Sequence, residues 1–141
     1  MARRPSGTAT PDGARIIAEV LERARPRPER SDSVTEKKNY AVRFAALMGD
    51  QLAHDLKPYF PGISATTKRS ARAATGRKQL DVNFSTPELG LALGISLKSV
   101  HVRDVGAPHR YTHNMKRNEE ELRVEASGYH KRQPYAVMIG V

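Results

Sequence analysis

Asp81, Ser96 and Lys98 are the residues of this sequence best suited by type and spacing to do chemistry. In "KQLDVNF", Asp81 and Asn83 alternate with Leu80, Val82 and Phe84, the pattern of a strand with one polar and one apolar face. In "GLALGISLK", Leu91, Leu93, Ile95 and Leu97 alternate in the same way with Ala92, Gly94, Ser96 and Lys98. The link "STPELG" carries the turn residues of a hairpin. Antiparallel pairing through it sets Asp81 and Lys98 on neighbouring strands, side chains on one sheet face, with Ala92 and Gly94 leaving a shallow pocket. An aspartate there offers hard oxygen to a divalent cation, and a lysine can orient or help deprotonate a water beside a phosphate. The plain alternative is a cross-strand ion pair on a solvated face, worth about 0.2–1 kcal/mol.

Such strands need helices to hold them. Ser33 with Glu36 forms a capping box, and Tyr40, Phe44, Met48, Leu52 and Leu56 then recur at helical spacing, with Ala41, Ala45 and Leu47 between them. Lys57-Pro58 and Pro61-Gly62 end that helix. Residues 64–78 are basic and aperiodic, so they predict a loop with a short strand near its end. The polar stretch 101–117 predicts another loop. A second helix then starts at Asn118 as cap, with Glu119, Glu120 and Glu121 in its first turn, Leu122, Ala126 and Tyr129 facing inward, and Lys131 and Arg132 in its last turn before Gln133-Pro134. "YAVMIGV" is an apolar run of strand length that suits a central strand covered on both faces. Its cover would come from elements beyond Val141, so the chain reads as a truncated member of its class or a fragment. Residues 1–32 read as a basic, flexible N-terminal extension. Within it "ARIIAEVLERA" can form a short helix with Ile16, Ile17, Val20 and Leu21 on one side, before "RPRPERSDS" interrupts it. The core is 33–141.

The chain has 141 residues, enough for one domain with a real core. It has no cysteine, which excludes disulfides, thiolate zinc sites and cysteine nucleophiles and fits a cytoplasmic setting. No apolar run is long enough for a membrane helix, and the basic N-terminus has no apolar segment behind it, so it is not a secretory signal. The net charge of +9 points to a polyanionic partner. Lys68, Arg69, Arg72, Arg77, Arg103, Arg110, Lys116 and Arg117 are the residues expected to form a nucleic-acid-facing rim. His101, His109 and His113 have no rigid ligand spacing and read as surface-loop histidines. Aromatics are 6% of the chain and build no stacking platform on the strands, which argues against single-strand RNA recognition.

The pattern resembles the PD-(D/E)xK nuclease superfamily over residues 33–141. That resemblance implies an α/β fold, the restriction endonuclease-like core: helix, three strands, helix and strand (αβββαβ), with a mixed central sheet flanked by helices. It carries the family's acid onto Asp81 and its lysine onto Lys98. Leu80 stands where the motif has proline, a mild variation, and Ser96 stands where it has its second acid, a serious one. Some restriction endonucleases carry serine-x-lysine there and take the missing glutamate from the next helix. "NEEELRVEASGYH" offers Glu121 or Glu125 for this, with Glu125 preferred because helix capping already accounts for the first-turn acids.

The resemblance therefore implies a Mg2+-dependent endonuclease, with Mn2+ as substitute, acting on double-stranded DNA. Asp81 and Glu125 or Glu121 would bind the metal, Lys98 would position water, and Ser96 would support the site by hydrogen bonding. Palindromic cutting would imply a homodimer. Two competing expectations stand beside it: a DNA-binding relative of this fold without catalysis, and a basic RNA-binding or structural protein.

Overall fold

The computed structural model describes residues 13–29, 31–65, 70–73, 76–98 and 109–141, the side chains of 70–73, 76–79 and 109–114 excepted. In chain order these hold α1 (Gly13–Arg23), α2 (Val34–Leu56), β1 (Ser64–Ala65), β2 (Ser70–Ala73), β3 (Gly76–Gln79), β4 (Val82–Thr86), β5 (Gly90–Ser96), α3 (His109–His130) and β6 (Val137–Gly140). The architecture is α/β. A four-stranded mixed sheet in the order β1-β4-β5-β6 has β5 antiparallel to β4 and parallel to β6, while β2 and β3 form a separate antiparallel pair.

The capping box forms as its residues require: Ser33 Oγ accepts from the Glu36 N–H at 3.2 Å, and Glu36 Oε2 accepts from the Ser33 N–H at 2.9 Å. The helix it starts lays Gly49 and Ala53 on the sheet. A Cβ on Gly49 would stand 3.4 Å from the Asp81 carbonyl, so a small residue is what lets α2 approach the backbone beside Asp81. Ala53, Ile63, Val82, Leu93 and Ile95 form the core under α2, joined by Leu97 and by the tilted ring pair Phe60–Phe84. On the other face Leu80, Leu91, Tyr129 and Ala136 form a second core with Met138. The α1 helix buries Val20 completely, as the chain does Ala24 just past its end, and leaves Ile17 and Leu21 exposed. Arg43 of α2 donates to the Ala24 and Pro26 carbonyls at 3.2 and 3.1 Å, satisfying acceptors at the C-terminal end of α1.

Four expectations are corrected. Leu80 does not share a face with Val82: Asp81 is a bend, and Leu80 turns into the opposite core. Leu91 likewise leaves the face of Leu93 and Ile95, because the β4–β5 register shifts between Phe84 and Ser85, with Ala92 as the extra residue. The Leu91 N–H is taken up by Gln133 Oε1 at 2.7 Å. Second, Gly94 opens no pocket. A Cβ there would lie 2.8 Å from Leu80 Cδ1 and 2.9 Å from Met138 Sδ, so side chains from both sides fill the space. Third, α3 begins at His109, not Asn118, which places His109 and His113 on the helix and Lys131 and Arg132 just past it. Fourth, β6 has a strand neighbour on one side only among the described residues, and Val137 and Ile139 are exposed, so it is no central strand with two covered faces. The hairpin expected through residues 86–90 forms, with Thr86 Oγ1 accepting from the Leu89 N–H and Gly90 at φ +70 closing the turn.

Candidate functional site

The C-terminal end of β5 is where chemistry-bearing side chains meet. Alternation along β5 sends Ser96 and Lys98 to the face covered by α3, while Ile95 and Leu97 go to the α2 side. The parallel strand β6 extends this end of the sheet: the Val141 N–H donates to the Ser96 carbonyl at 3.0 Å, and the Lys98 N–H to the Val141 carbonyl at 2.7 Å. The backbone on both sides of Leu97 is thereby fixed. On α3, residues three, four and seven apart share one face, so Arg117, Glu121, Val124 and Glu125 line up above it.

Ser96 is buried, and its hydroxyl donates to Glu125 Oε2 at 3.0 Å. Lys98 Nζ stands 3.7 Å from the same oxygen and 3.6 Å from Glu121 Oε2. Glu121 Oε1 also meets Arg117 Nε at 3.4 Å. The chain of partners thus runs from a buried hydroxyl, through a carboxylate 14% exposed, to a lysine 23% exposed and out to an arginine in solvent. An open hollow of about 370 Å³ lies here, lined by Lys98, Arg117, Glu120, Glu121, Val124 and Glu125.

Asp81 enters from β4's N-terminal edge. Its N–H donates to the Ile95 carbonyl at 3.1 Å, and its Oδ2 accepts from the Leu97 N–H at 2.7 Å. The carboxylate is therefore pinned to the one residue between Ser96 and Lys98. Asp81 and Lys98 do not pair with each other: the aspartate takes a backbone N–H and the lysine takes two helix carboxylates.

One turn below Glu125, Tyr129 is fully buried. Burial first, and the Glu125 charge second, push its hydroxyl pKa up to about 12.

Ser96, Lys98, Glu121 and Glu125 are thus brought together, with Asp81 joined to them through Leu97. The capping account of Glu119, Glu120 and Glu121 falls with the earlier helix start. These acids lie well inside α3, where Glu119 pairs with Arg123 at 2.7 Å and Glu121 with Lys98 and Arg117. Of the expected rim, Arg117 lines the hollow and Lys116 is exposed on the same helix. Arg72 and Arg77 are cross-strand partners in the β2–β3 pair, and Arg110 is in the first turn of α3. Lys68, Arg69, Arg103 and His101 lie outside the described residues. Sequence reasoning missed Glu120 and Val124 as lining residues and Gln133 as the group that holds Leu91. Reading α3 from His109 onward would have exposed the first two, since the face that carries Arg117 and Glu121 continues into them.

Hard carboxylate oxygen suits a divalent cation that keeps several of its waters. Asp81 Oδ1 and Glu125 Oε1 accept no protein hydrogen bond among the described residues, so each carboxylate has an oxygen to give. No three acidic or histidine side chains converge into a ready cation cage among the described residues. No helix there is long and apolar enough to cross a membrane. No family model matches the chain, and neither a curated protein nor a solved structure matches it.

Proposed function

We propose that this chain is a metal-dependent endonuclease that hydrolyses phosphodiester bonds of double-stranded DNA on a restriction endonuclease-like core. The observation that carries the reading is the meeting of Ser96 and Lys98, from one strand, with Glu125, from the following helix, beside an aspartate pinned to Leu97. That is the arrangement in which a helix glutamate stands in for the acid that Ser96 replaces. The order α2, β1, β4, β5, α3, β6, with sheet order β1-β4-β5-β6 and β6 parallel to β5, supports the same reading. The β2–β3 pair is then an addition between the first and second core strands.

In this proposal Asp81 and Glu125 hold Mg2+ or Mn2+, which when bound polarises the phosphoryl group and lowers the pKa of a water. The protein's own residues do the positioning. The Leu97 N–H fixes the Asp81 carboxylate, the Ser96 hydroxyl fixes that of Glu125, and the Lys98 ammonium meets the phosphate and orients the attacking water. Arg117 and Lys116, exposed on the same helix, supply charge to the phosphate backbone in this proposal.

The test is cleavage of plasmid and phage DNA by the purified chain with Mg2+, with Mn2+ and with EDTA. Lys98→Ala and Asp81→Ala are each expected to lose about 100-fold or more in rate. Unchanged metal-dependent cleavage in either variant sinks the assignment.

A second reading, DNA binding without hydrolysis, draws on two observations: Ser96 in place of an acid, and a Lys98 already neutralised by Glu121 and Glu125. Salt-sensitive duplex binding with no cutting, and activity created by Ser96→Glu, would select it.

A further inference from the structure

The carboxylate that the proposed reaction assigns to a metal is already occupied by a cation of the protein itself. Glu125 is 14% exposed, and a carboxylate so far out of water is costly unless it is paired and hydrogen-bonded. Both conditions are met at a single oxygen: Glu125 Oε2 accepts from Ser96 Oγ at 3.0 Å and faces Lys98 Nζ at 3.7 Å. Lys98 is itself only 23% exposed and its ammonium lies between two carboxylates, with Glu121 Oε2 at 3.6 Å. Glu121 differs from Glu125: it is 49% exposed and has a second cation, Arg117, at 3.4 Å. Were Lys98 to leave, Glu121 would keep a counter-ion, and Glu125 would keep none among the described residues.

We propose that Lys98 is the resident cation of Glu125, and that a divalent metal ion enters by exchange with it, the ammonium moving off the carboxylate as the ion arrives. The inference rests on the reading of Glu125 as a metal ligand. It adds that metal and lysine compete for that carboxylate, that Glu121 anchors Lys98 and Arg117 and does not hold the ion, and that a phosphate receives the displaced ammonium. Metal and DNA then bind cooperatively: each relieves the competition that the other meets, and linkage makes the effect reciprocal.

The experiment is Mn2+ binding, followed by electron paramagnetic resonance, to the full chain without DNA, in wild type, Lys98→Met, Lys98→Gln and Glu125→Gln. Removing the competing charge is expected to tighten Mn2+ binding by about tenfold or more in both Lys98 variants, and Glu125→Gln to abolish it. Lysine Nζ resonances of the wild-type chain supply a readout that does not depend on how a variant folds: Mg2+ is expected to shift the Lys98 signal, identified by its absence in Lys98→Gln. If binding still depends on Glu125 while the Lys98 variants bind no tighter and the Lys98 signal stays in place, the exchange is overturned and the site reading stands. If no variant binds Mn2+ saturably, both are overturned.

Discussion

Tyr129 shows how far the surroundings of one side chain shape this end of the molecule. Its side chain, on α3, is fully buried, and the Glu125 charge lies one helical turn away, so the ionised form is disfavoured by both lost solvation and repulsion. The folded pKa of about 12 lies above the ordinary 10.0. The native state therefore holds this proton more tightly than the unfolded chain does. The resulting stability is fully present below pH 10.0 and is lost as pH rises from there towards about 12. Urea unfolding of wild type and Tyr129→Phe across that window should show the wild type losing stability faster, the difference between the two curves being the share that belongs to Tyr129. Parallel curves would remove Tyr129 from the account. Strand alternation makes Asp81, Ser96 and Lys98 legible by type, whereas Glu121 or Glu125 on the helix that follows is pointed to by the resemblance and not by spacing. The partners of these side chains are not legible. A bend at Asp81 gives its carboxylate to the Leu97 N–H, and no spacing rule assigns a carboxylate to a backbone group on the next strand.

Elements were readable wherever a local signal coincided with a periodic one. The start of α2 is the clearest case, since the capping box and the apolar stripe agree. The Ser33 hydroxyl, and after it the Ser33 N–H, hold the Glu36 carboxyl below its ordinary 4.5. Its contribution is therefore present at neutral pH and is lost as pH falls through the lowered value. Ser33→Ala is expected to cost about 1 kcal/mol in urea unfolding at neutral pH, with a smaller loss in acid, where Glu36 is protonated in both proteins. A loss that does not change with pH would mean that the box does not act as a reciprocal pair. Signals that conflict explain the misses. Asn118 and the acids after it imitate a helix start, yet 109–117 contains no proline or glycine to stop a helix, and Pro108 directly before His109 is the better boundary. The shift in β5 falls on Ala92, which carries none of the glycine or proline marks of an irregular strand, so the sequence reads as unbroken alternation across it. A glycine at 94 suits open space and tight packing alike, and it is Leu80 and Met138 that fill the place.

At the scale of the molecule, charge and layering set what binds. Covering one sheet face with α2 and the other with α3 leaves the C-terminal end of β5 open between helix and sheet, and the hollow beside Lys98 forms there. Layer order was legible because two helical stripes flank alternating strands. The exposure of β6 was not, because "YAVMIGV" reads alike whether one face or both are covered, and only the sheet order shows a neighbour on one side. The net charge of +9 is a long-range property that supplies affinity for any polyanion and no specificity. Duplex DNA binding without divalent metal should therefore weaken linearly on a log–log plot against salt, with a slope of about −0.9 per phosphate neutralised. If the proposed DNA contact is to the phosphate backbone, Arg117→Ala is expected to reduce that slope by about 1 and to weaken all sequences alike, since its guanidinium is exposed beside the hollow. Fluorescence anisotropy with duplexes of unrelated sequence and with a structured RNA measures both effects. A slope unchanged by Arg117→Ala would take this helix face out of the DNA path. Tighter binding to the RNA at every salt concentration would turn the same basic surface towards a different polyanion and leave Lys98, Glu121 and Glu125 as a structural ion cluster.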